Sequence, residues 1–257
     1  MIAPLFVSHG APTLLGEDVP ARAFLARLGG STGRPSAVLA VSAHWETAAP
    51  SASTAERPET IHDFYGFPRE LYAHQYPAPG APALAERAVR LLRDAGIDAA
   101  LDSRRGLDHG AWVPLTLMYR EADIPVTQLS IQPELGPAHH LNMGRALEAL
   151  TSDDVLVLAS GSATHNLRAL AWGGDEKPAP WAKAFDDWLA ERLAAGDAEA
   201  LVDYRRQAPS AAVAHPRDEH FLPLFVAFGA AGNRARGERI HASFTHGSLS
   251  MAAFRFS

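Results

Sequence analysis

The chain has 257 residues, of which 47% are hydrophobic and 20% charged, and its formal net charge is −6. These values are typical of globular proteins and exclude disordered and collagen-like chains. Cysteine is absent, which excludes disulfides, thiolate metal sites and cysteine nucleophiles, so a metal ion must be bound by histidine, aspartate or glutamate. The mildly acidic balance has no dense stretch of lysine and arginine and argues against nucleic acid as a partner. We therefore expect a small-molecule ligand.

The chain begins with a short apolar segment that resembles a first strand. It lacks the basic start and long apolar segment of a secretory signal, and no apolar run reaches the roughly 18 residues that a membrane span needs. These features predict a cytoplasmic protein that makes no contact with a membrane. A homo-oligomer is compatible with the same composition.

Apolar runs and helical periodicity alternate along the chain. In order, they predict strands at 2–8 and 37–43, a helix at 82–95, a strand at 124–131, a helix at 137–150, a strand at 155–160, helices at 181–195 and 221–231, and a strand at 251–256. Most of the strand runs are continuously apolar, as in a parallel sheet that is covered on both faces. The pattern predicts an α/β fold in which residues 1–257 form a single domain with a mostly parallel central sheet flanked by helices.

The segment 57–82 interrupts this alternation with five prolines and several aromatic residues. Long loops of this kind inside a domain are usually functional. We expect its residues 63–76 to form a wall of the ligand pocket. The aromatic residues of this loop can pack against one another as readily as they can stack on a ligand, so the sequence leaves both roles open.

Three histidines follow apolar strand runs. His9 follows the run 2–8, His44 follows 37–43, and His165 comes shortly after 155–160. A single histidine in such a place is more often a hydrogen-bonded core residue. Ligands of parallel sheets bind beyond the carboxyl ends of the strands, however, so three histidines with this placement predict a common site there.

Two further histidines lie at predicted helix starts. His109 follows Asp108, a good helix cap, and His220 precedes the apolar helix 221–231. Either one is compatible with a simple role at a helix start. His139 and His140 are predicted to lie on a solvated helix face.

Clustered histidines without thiols suit zinc or iron. They predict a mononuclear metal site at the carboxyl ends of the strands, with a position left open for water or substrate. The residues by themselves leave three functions open: hydrolysis by a metal-bound water, dioxygen chemistry at iron, and a non-catalytic metal-binding or interaction module.

A set of ordered motifs favours one of these functions. They are SHGAP (8–12), SAHWET (42–47), IHDFYGFP (61–68), YPAPG (76–80), LDHGAW (107–112), PVTQLS (125–130), HNL (165–167) and EHFLPL (219–224). This set resembles the DOPA-dioxygenase branch of the class III extradiol ring-cleavage dioxygenases, and the resemblance runs from residue 5 to about residue 251.

The resemblance implies an α/β enzyme that opens the ring of a small aromatic diol, a catechol, with dioxygen. It implies that His9, His44 and His220 bind the metal ion and that His165 is either a further ligand or the acid–base residue. It implies that His109 is a catalytic residue that either faces the substrate or supports the metal ligands from behind. Iron(II) is expected for activity, and zinc(II) is a plausible occupant of an all-histidine site.

The third ligand departs from the better-known class III enzymes, in which two histidines and a glutamate bind iron. Glu219 is adjacent to His220, and neighbouring side chains at a helix start point about 100° apart. We therefore expect only one of the two side chains to face the site, and we choose His220. No cluster of basic residues in the sequence predicts recognition of a substrate carboxylate.

Overall fold

The computed structural model describes residues 2–171 and 177–257. Its strands are β1 Leu5–Ser8, β2 Ala37–Glu46, β3 Ser51–Ser53, β4 Ala100–Asp102, β5 Val126–Ile131, β6 Val155–Gly161, β7 Gly237–His241, β8 Phe244–Thr245, β9 Leu249–Ser250 and β10 Ala253–Phe256. Eight of them form one sheet in the order β4-β3-β5-β2-β6-β1-β10-β7, and β8 pairs with β9. The central strands β5, β2, β6 and β1 are all parallel, whereas β10 and β7 extend the sheet in antiparallel fashion.

The helices are α1 Pro20–Thr32, α2 Arg69–Tyr72, α3 Pro82–Asp94, α4 His109–Met118, α5 Gly136–Ala146, α6 Glu148–Thr151, α7 Pro180–Ala195, α8 Ala198–Val202, α9 Tyr204–Gln207, α10 Ala211–Ala214 and α11 Leu222–Ala230. Short 3-10 turns lie at Pro12–Leu15, Pro133–Leu135 and Leu167–Ala169. Within the described ranges, every helix is too short or too polar to cross a membrane.

Helices cover both faces of the sheet because successive strand residues point to opposite sides. In β1, Leu5 and Val7 pack into a cluster with α1 and α4. Phe6, between them, packs into a second cluster with α7 and α11. A third cluster joins β2 to α3 and α5. Strands buried on both faces read as the uninterrupted apolar runs seen in the sequence, so the predicted α/β fold with a mostly parallel sheet is confirmed.

The predicted elements are present with shifted ends, and several others were missed. The predicted helix 137–150 is divided at Leu147 into α5 and α6. Helix α1 was missed because Gly29 and Gly30 resemble a helix stop. Gly29 instead allows close packing, since a Cβ there would lie 2.0 Å from the backbone oxygen of Met118. Strands β3 and β4 have three residues each, too few to give a periodic pattern.

The prediction of a solvated face at residues 139–140 is wrong. His140 is fully buried and His139 is half-buried. The His140 side chain uses both ring nitrogens: Nδ1 donates to Gly136 O at 2.7 Å, and Nε2 accepts from Gln132 N at 3.0 Å. Burial occurs because α5 packs closely on α11, where a Cβ on Gly144 would lie 2.2 Å from the backbone oxygen of Val226.

This buried histidine predicts a loss of stability in acid. Burial lowers the pKa of His140 to about 4, against the opposing effect of the Gly136 carbonyl. In the unfolded chain His140 has its ordinary pKa, so below about pH 6.5 the unfolded chain binds more protons than the folded chain. The free energy of unfolding therefore falls as the pH falls from there toward 4. The size of the effect is about 2 kcal/mol between pH 7 and pH 5. We expect His140→Gln to be less stable than the parent at pH 7. Between pH 7 and pH 5, however, its free energy of unfolding should fall by about 2 kcal/mol less than that of the parent.

Urea unfolding at both pH values measures this difference. Leu141→Ala is the control, because it removes a neighbouring buried side chain that does not titrate and should destabilise equally at both pH values. An unchanged pH dependence in His140→Gln would contradict the prediction.

Candidate metal centre

Three histidine side chains meet at the carboxyl end of the parallel strands. His9 directly follows β1, His44 lies near the end of β2, and His220 precedes α11. His44 Nε2 lies 3.1 Å from His9 Nε2 and 3.2 Å from His220 Nε2. Three residues far apart in sequence therefore present the same ring atom to one point.

Hydrogen bonds at the opposite ring nitrogens identify the tautomers. Ser160 Oγ donates to Gly110 O at 2.5 Å and therefore accepts from His9 Nδ1 at 3.0 Å. His220 Nδ1 donates to Glu219 Oε1 at 3.0 Å. His44 Nδ1 faces Asp63 Oδ2 at 3.4 Å. Nδ1 of His9 and of His220 thus carries the proton, and the nearby Asp63 carboxylate favours the same tautomer for His44, so that the Nε2 lone pairs face one another.

This arrangement fits a metal ion. Nitrogens that bind one ion at about 2.0–2.1 Å lie about 3.0–3.4 Å from one another, and the observed separations lie in this range. Three facing lone pairs repel one another unless a cation lies between them. Hydrogen-bonded Nδ1 atoms are also the usual partners of metal-binding imidazoles. His9, His44 and His220 are accordingly a group that can hold a metal ion.

Burial keeps these rings neutral at physiological pH. Burial and the neighbouring histidines lower the pKa of His9 and of His220 far below the ordinary value. Burial and His109 lower the pKa of His44 to about 4, although Asp108 and Asp63 oppose this. Neutral imidazole is the form that binds metals, so protons do not compete for the site near pH 7.

Asp63 connects the histidine cluster to His109. Its Oδ1 accepts from His109 Nδ1 at 2.8 Å and from the His109 backbone N–H at 3.1 Å. Burial raises the pKa of Asp63, but the His109 hydrogen bond and the nearby His44 outweigh it and lower that pKa to about 2. The ring of His109 lies with its centroid 3.9 Å from that of His44, and its Nε2 makes none of the hydrogen bonds found among the described residues.

His165 lies beside the cluster and outside the group of three Nε2 atoms. Its ring stacks on His220 with a centroid distance of 3.4 Å and an angle of 11°. Its Nδ1 lies 3.7 Å from Glu219 Oε1. Burial, with smaller contributions from His44 and His109, lowers the pKa of His165 to about 4. The ring is therefore a neutral group beside the cluster that can accept a proton.

The expectation that only one of Glu219 and His220 faces the site is wrong. Glu219 lines the same pocket as His220, because residues 219 and 220 precede α11 and are free of regular helical geometry. The two side chains have different places, however. His220 Nε2 points to the other histidines, and Glu219 binds the far nitrogen of the same ring.

Close backbone packing positions these side chains. A Cβ on Gly161, at the end of β6, would lie 2.1 Å from His220 O, and a Cβ on Gly110 would lie 2.4 Å from Ser42 Oγ. Asp108 caps α4 as predicted, by accepting from Ala111 N at 3.3 Å. This carboxylate also accepts from the side chains of Ser42, Arg105 and Gln128.

The histidines form one end of a cavity of about 480 Å³. All five predicted site histidines line it: His9, His44, His109, His165 and His220. The loop 63–76 contributes Phe64 and Phe67 to the wall, as expected, and these two rings pack edge to face at 5.4 Å. Two charged side chains, Glu46 and Arg217, also line the cavity.

Four contributors to this site were not predicted from the sequence. Asp63 lies in a loop without periodicity, and Ser160 lies inside an apolar strand where its hydroxyl carried no signal. Glu46 and Arg217 are single charged residues, and no basic cluster marks them. The sequence did contain a signal for two of these residues. Asp63 directly follows His62, and Glu46 lies two residues after His44 in the same motif.

Comparison with known proteins identifies the family. The family described as the catalytic LigB subunit of aromatic ring-opening dioxygenase matches residues 19–257. A 4,5-DOPA dioxygenase extradiol of Beta vulgaris is 46% identical over 98% of this chain and 95% of its own length. The protein of the same name from Escherichia coli K12 is 44% identical over 88% of this chain and 84% of its own length.

A solved structure has the same fold. It is the crystal structure of an uncharacterized protein from Escherichia coli K12, with a TM-score of 0.83 and 37% identity, covering 99% of both chains. Together with the histidine cluster, these matches show that the chain belongs to the LigB family of aromatic ring-opening dioxygenases and is a metal-dependent extradiol dioxygenase.

Proposed function

We propose that this protein is an iron(II) enzyme that opens the ring of a DOPA-type catechol beside its two hydroxyl groups. The observation that carries the proposal is the convergence of three unprotonated Nε2 atoms at one end of a cavity with aromatic walls. The similarity to relatives named 4,5-DOPA dioxygenase extradiol supports the choice of substrate. We further propose residues 1–257 as a single catalytic domain.

In this proposal His9, His44 and His220 hold the metal ion. When bound, iron(II) would supply open positions for both catechol oxygens and for dioxygen, and would pass electrons between them. The three ligands are neutral, so the ion keeps its full positive charge and favours the ionised form of the catechol. Ser160, Asp63 and Glu219 fix the ring orientations through the Nδ1 atoms.

We assign proton handling to His109 and His165. Asp63 holds the proton of His109 on Nδ1, which leaves Nε2 to accept a hydrogen bond from a catechol hydroxyl. His165 stacks on the face of the His220 ring and stands outside the group of His9, His44 and His220, which supports an acid–base role. His165, Glu219 and His220 also form a second group that could hold an ion, and the metal affinities of their variants distinguish the two groups. A neutral imidazole there can take a catechol proton and return it later to the leaving oxygen.

Anaerobic reconstitution with ferrous iron, followed by addition of DOPA and air, tests the proposed activity. We expect a yellow ring-opened product and consumption of one dioxygen per ring, with little activity after loading with zinc. Absence of oxygen uptake with every catechol would refute the proposal. Hydrolysis without oxygen consumption would indicate a zinc hydrolase instead.

The ligand assignment predicts the effect of removing each side chain on metal affinity. We expect His9→Ala, His44→Ala and His220→Ala to bind zinc far more weakly than the parent, because each loses one of three ligands. Glu219→Gln should weaken binding by only about 10–100-fold, as for other residues that orient a ligand. Titration against a chelating dye measures these affinities.

Glu86→Gln provides the matched control, because Glu86 is exposed on α3 and away from the cavity. If Glu219→Gln binds zinc more weakly than His220→Ala does, the metal ligands are instead two histidines and the Glu219 carboxylate.

The role of His109 predicts a separation of catalysis from metal binding. We expect His109→Ala to keep its metal content and fold but to lose turnover by about 10²–10⁴-fold, the usual contribution of a positioned acid–base group. Steady-state oxygen uptake and metal analysis of the same sample measure both quantities. His139→Ala, which removes a half-buried histidine outside the cavity, should retain turnover. Near-normal turnover in His109→Ala would contradict the catalytic assignment and leave His109 with only a structural role at the start of α4.

A further inference from the structure

Two oppositely charged side chains lie at the solvent-exposed end of the cavity. Arg217 Nη2 donates to Glu46 Oε2 at 3.0 Å, and the two residues are 171 positions apart in the chain. Their side chains are 64% and 40% exposed, whereas His9 and His220 at the other end are buried. The cavity therefore has a neutral histidine end and a charged, open end.

The two ends are connected by β2. Glu46 is two residues beyond His44 at the end of the strand, and both side chains line the cavity. Trp45, between them, is buried and is not among the residues that line the cavity. Arg217 is three residues before His220 and approaches Glu46 from the other side of the cavity.

Stability of the fold gives little reason for this ion pair. Exposed pairs contribute about 0–1 kcal/mol to stability. Apart from this pair, Glu219 and the histidines, the lining of the cavity is largely apolar, with side chains such as Phe64, Phe67 and Leu249. Arg217 also has Glu219 within reach, since its Nε lies 3.7 Å from Glu219 Oε2. The guanidinium thus keeps donors available to a ligand, between two carboxylates that hold it in place.

We propose that Glu46 and Arg217 recognise a zwitterionic α-amino acid group on the substrate. Arg217 would bind the carboxylate through its planar donors, and Glu46 would bind the ammonium group. In the absence of substrate the two side chains form an ion pair with each other. The proposal rests on the proposed ring-opening activity, and it assigns to these two residues the preference for amino acid catechols over simple catechols.

Four catechols test the two charges separately in the iron-loaded enzyme. They are DOPA, 3-(3,4-dihydroxyphenyl)propionate without the ammonium group, dopamine without the carboxylate, and 4-ethylcatechol without either. Each kcat/KM is divided by that for 4-ethylcatechol, so that any general effect on the metal site cancels.

We expect Arg217→Gln to lower this ratio by about tenfold or more for DOPA and the propionate but not for dopamine. Glu46→Gln should lower it for DOPA and dopamine but not for the propionate. Arg217→Lys should retain part of the ratio for DOPA, because it keeps the charge but not the planar pair of donors.

Arg34→Gln is the matched control. Arg34 pairs with Asp123 at 2.8 Å and is 64% exposed like Arg217, but it lies away from the cavity, so all the ratios should stay unchanged. Ratios within twofold of the parent in both Arg217→Gln and Glu46→Gln would overturn this inference and leave the ring-opening activity standing. Failure of the parent enzyme to open any of the four catechols would overturn the proposed function, and this inference with it.

Discussion

Three imidazole nitrogens that face one another without protons are the constraint on which the rest of this site depends. Bare lone pairs separated by 3.1–3.2 Å repel, so the rings must be held from behind. Each ring is held through Nδ1 by a different partner: Ser160 for His9, Asp63 for His44 and Glu219 for His220. A site organised in this way before any ion binds loses little conformational entropy on binding, and it favours a cation that accepts nitrogen ligands.

The fold brings these partners together by packing backbones closely. Parallel β1, β2 and β6 end at the same edge of the sheet, which places His9, His44 and Ser160 side by side. The segment before α11 approaches β6 so closely that position 161 accommodates only glycine, and Ser162 N donates to His220 O at 2.8 Å. The same contact that joins α11 to the sheet therefore also positions its histidine.

The charges of the cavity are divided between its two ends. The inner end contains neutral histidines whose pKa values are lowered by burial, so a bound metal ion would supply the dominant charge there. The outer end contains Glu46 and Arg217, which are partly solvated. Catechol oxygens suit the first environment and charged substituents suit the second. The side chains of Phe64 and Phe67 also line the cavity, and their aromatic surfaces suit the ring.

The sequence by itself determined the α/β class, the central strands and the five histidines, because strands buried on both faces leave continuous apolar runs and histidines at strand ends are visible in a linear pattern. It did not determine that His140 is buried, that α1 continues through two glycines, or that Glu219 faces the same cavity as His220. Each of these depends on which backbones touch, as at Gly29 with Met118 and Gly144 with Val226. The tertiary structure alone decided which ring nitrogens meet and which partner holds each one. It also placed Arg217 against Glu46 across 171 positions of chain, because hydrogen bonds between distant segments leave no periodic signal in either segment.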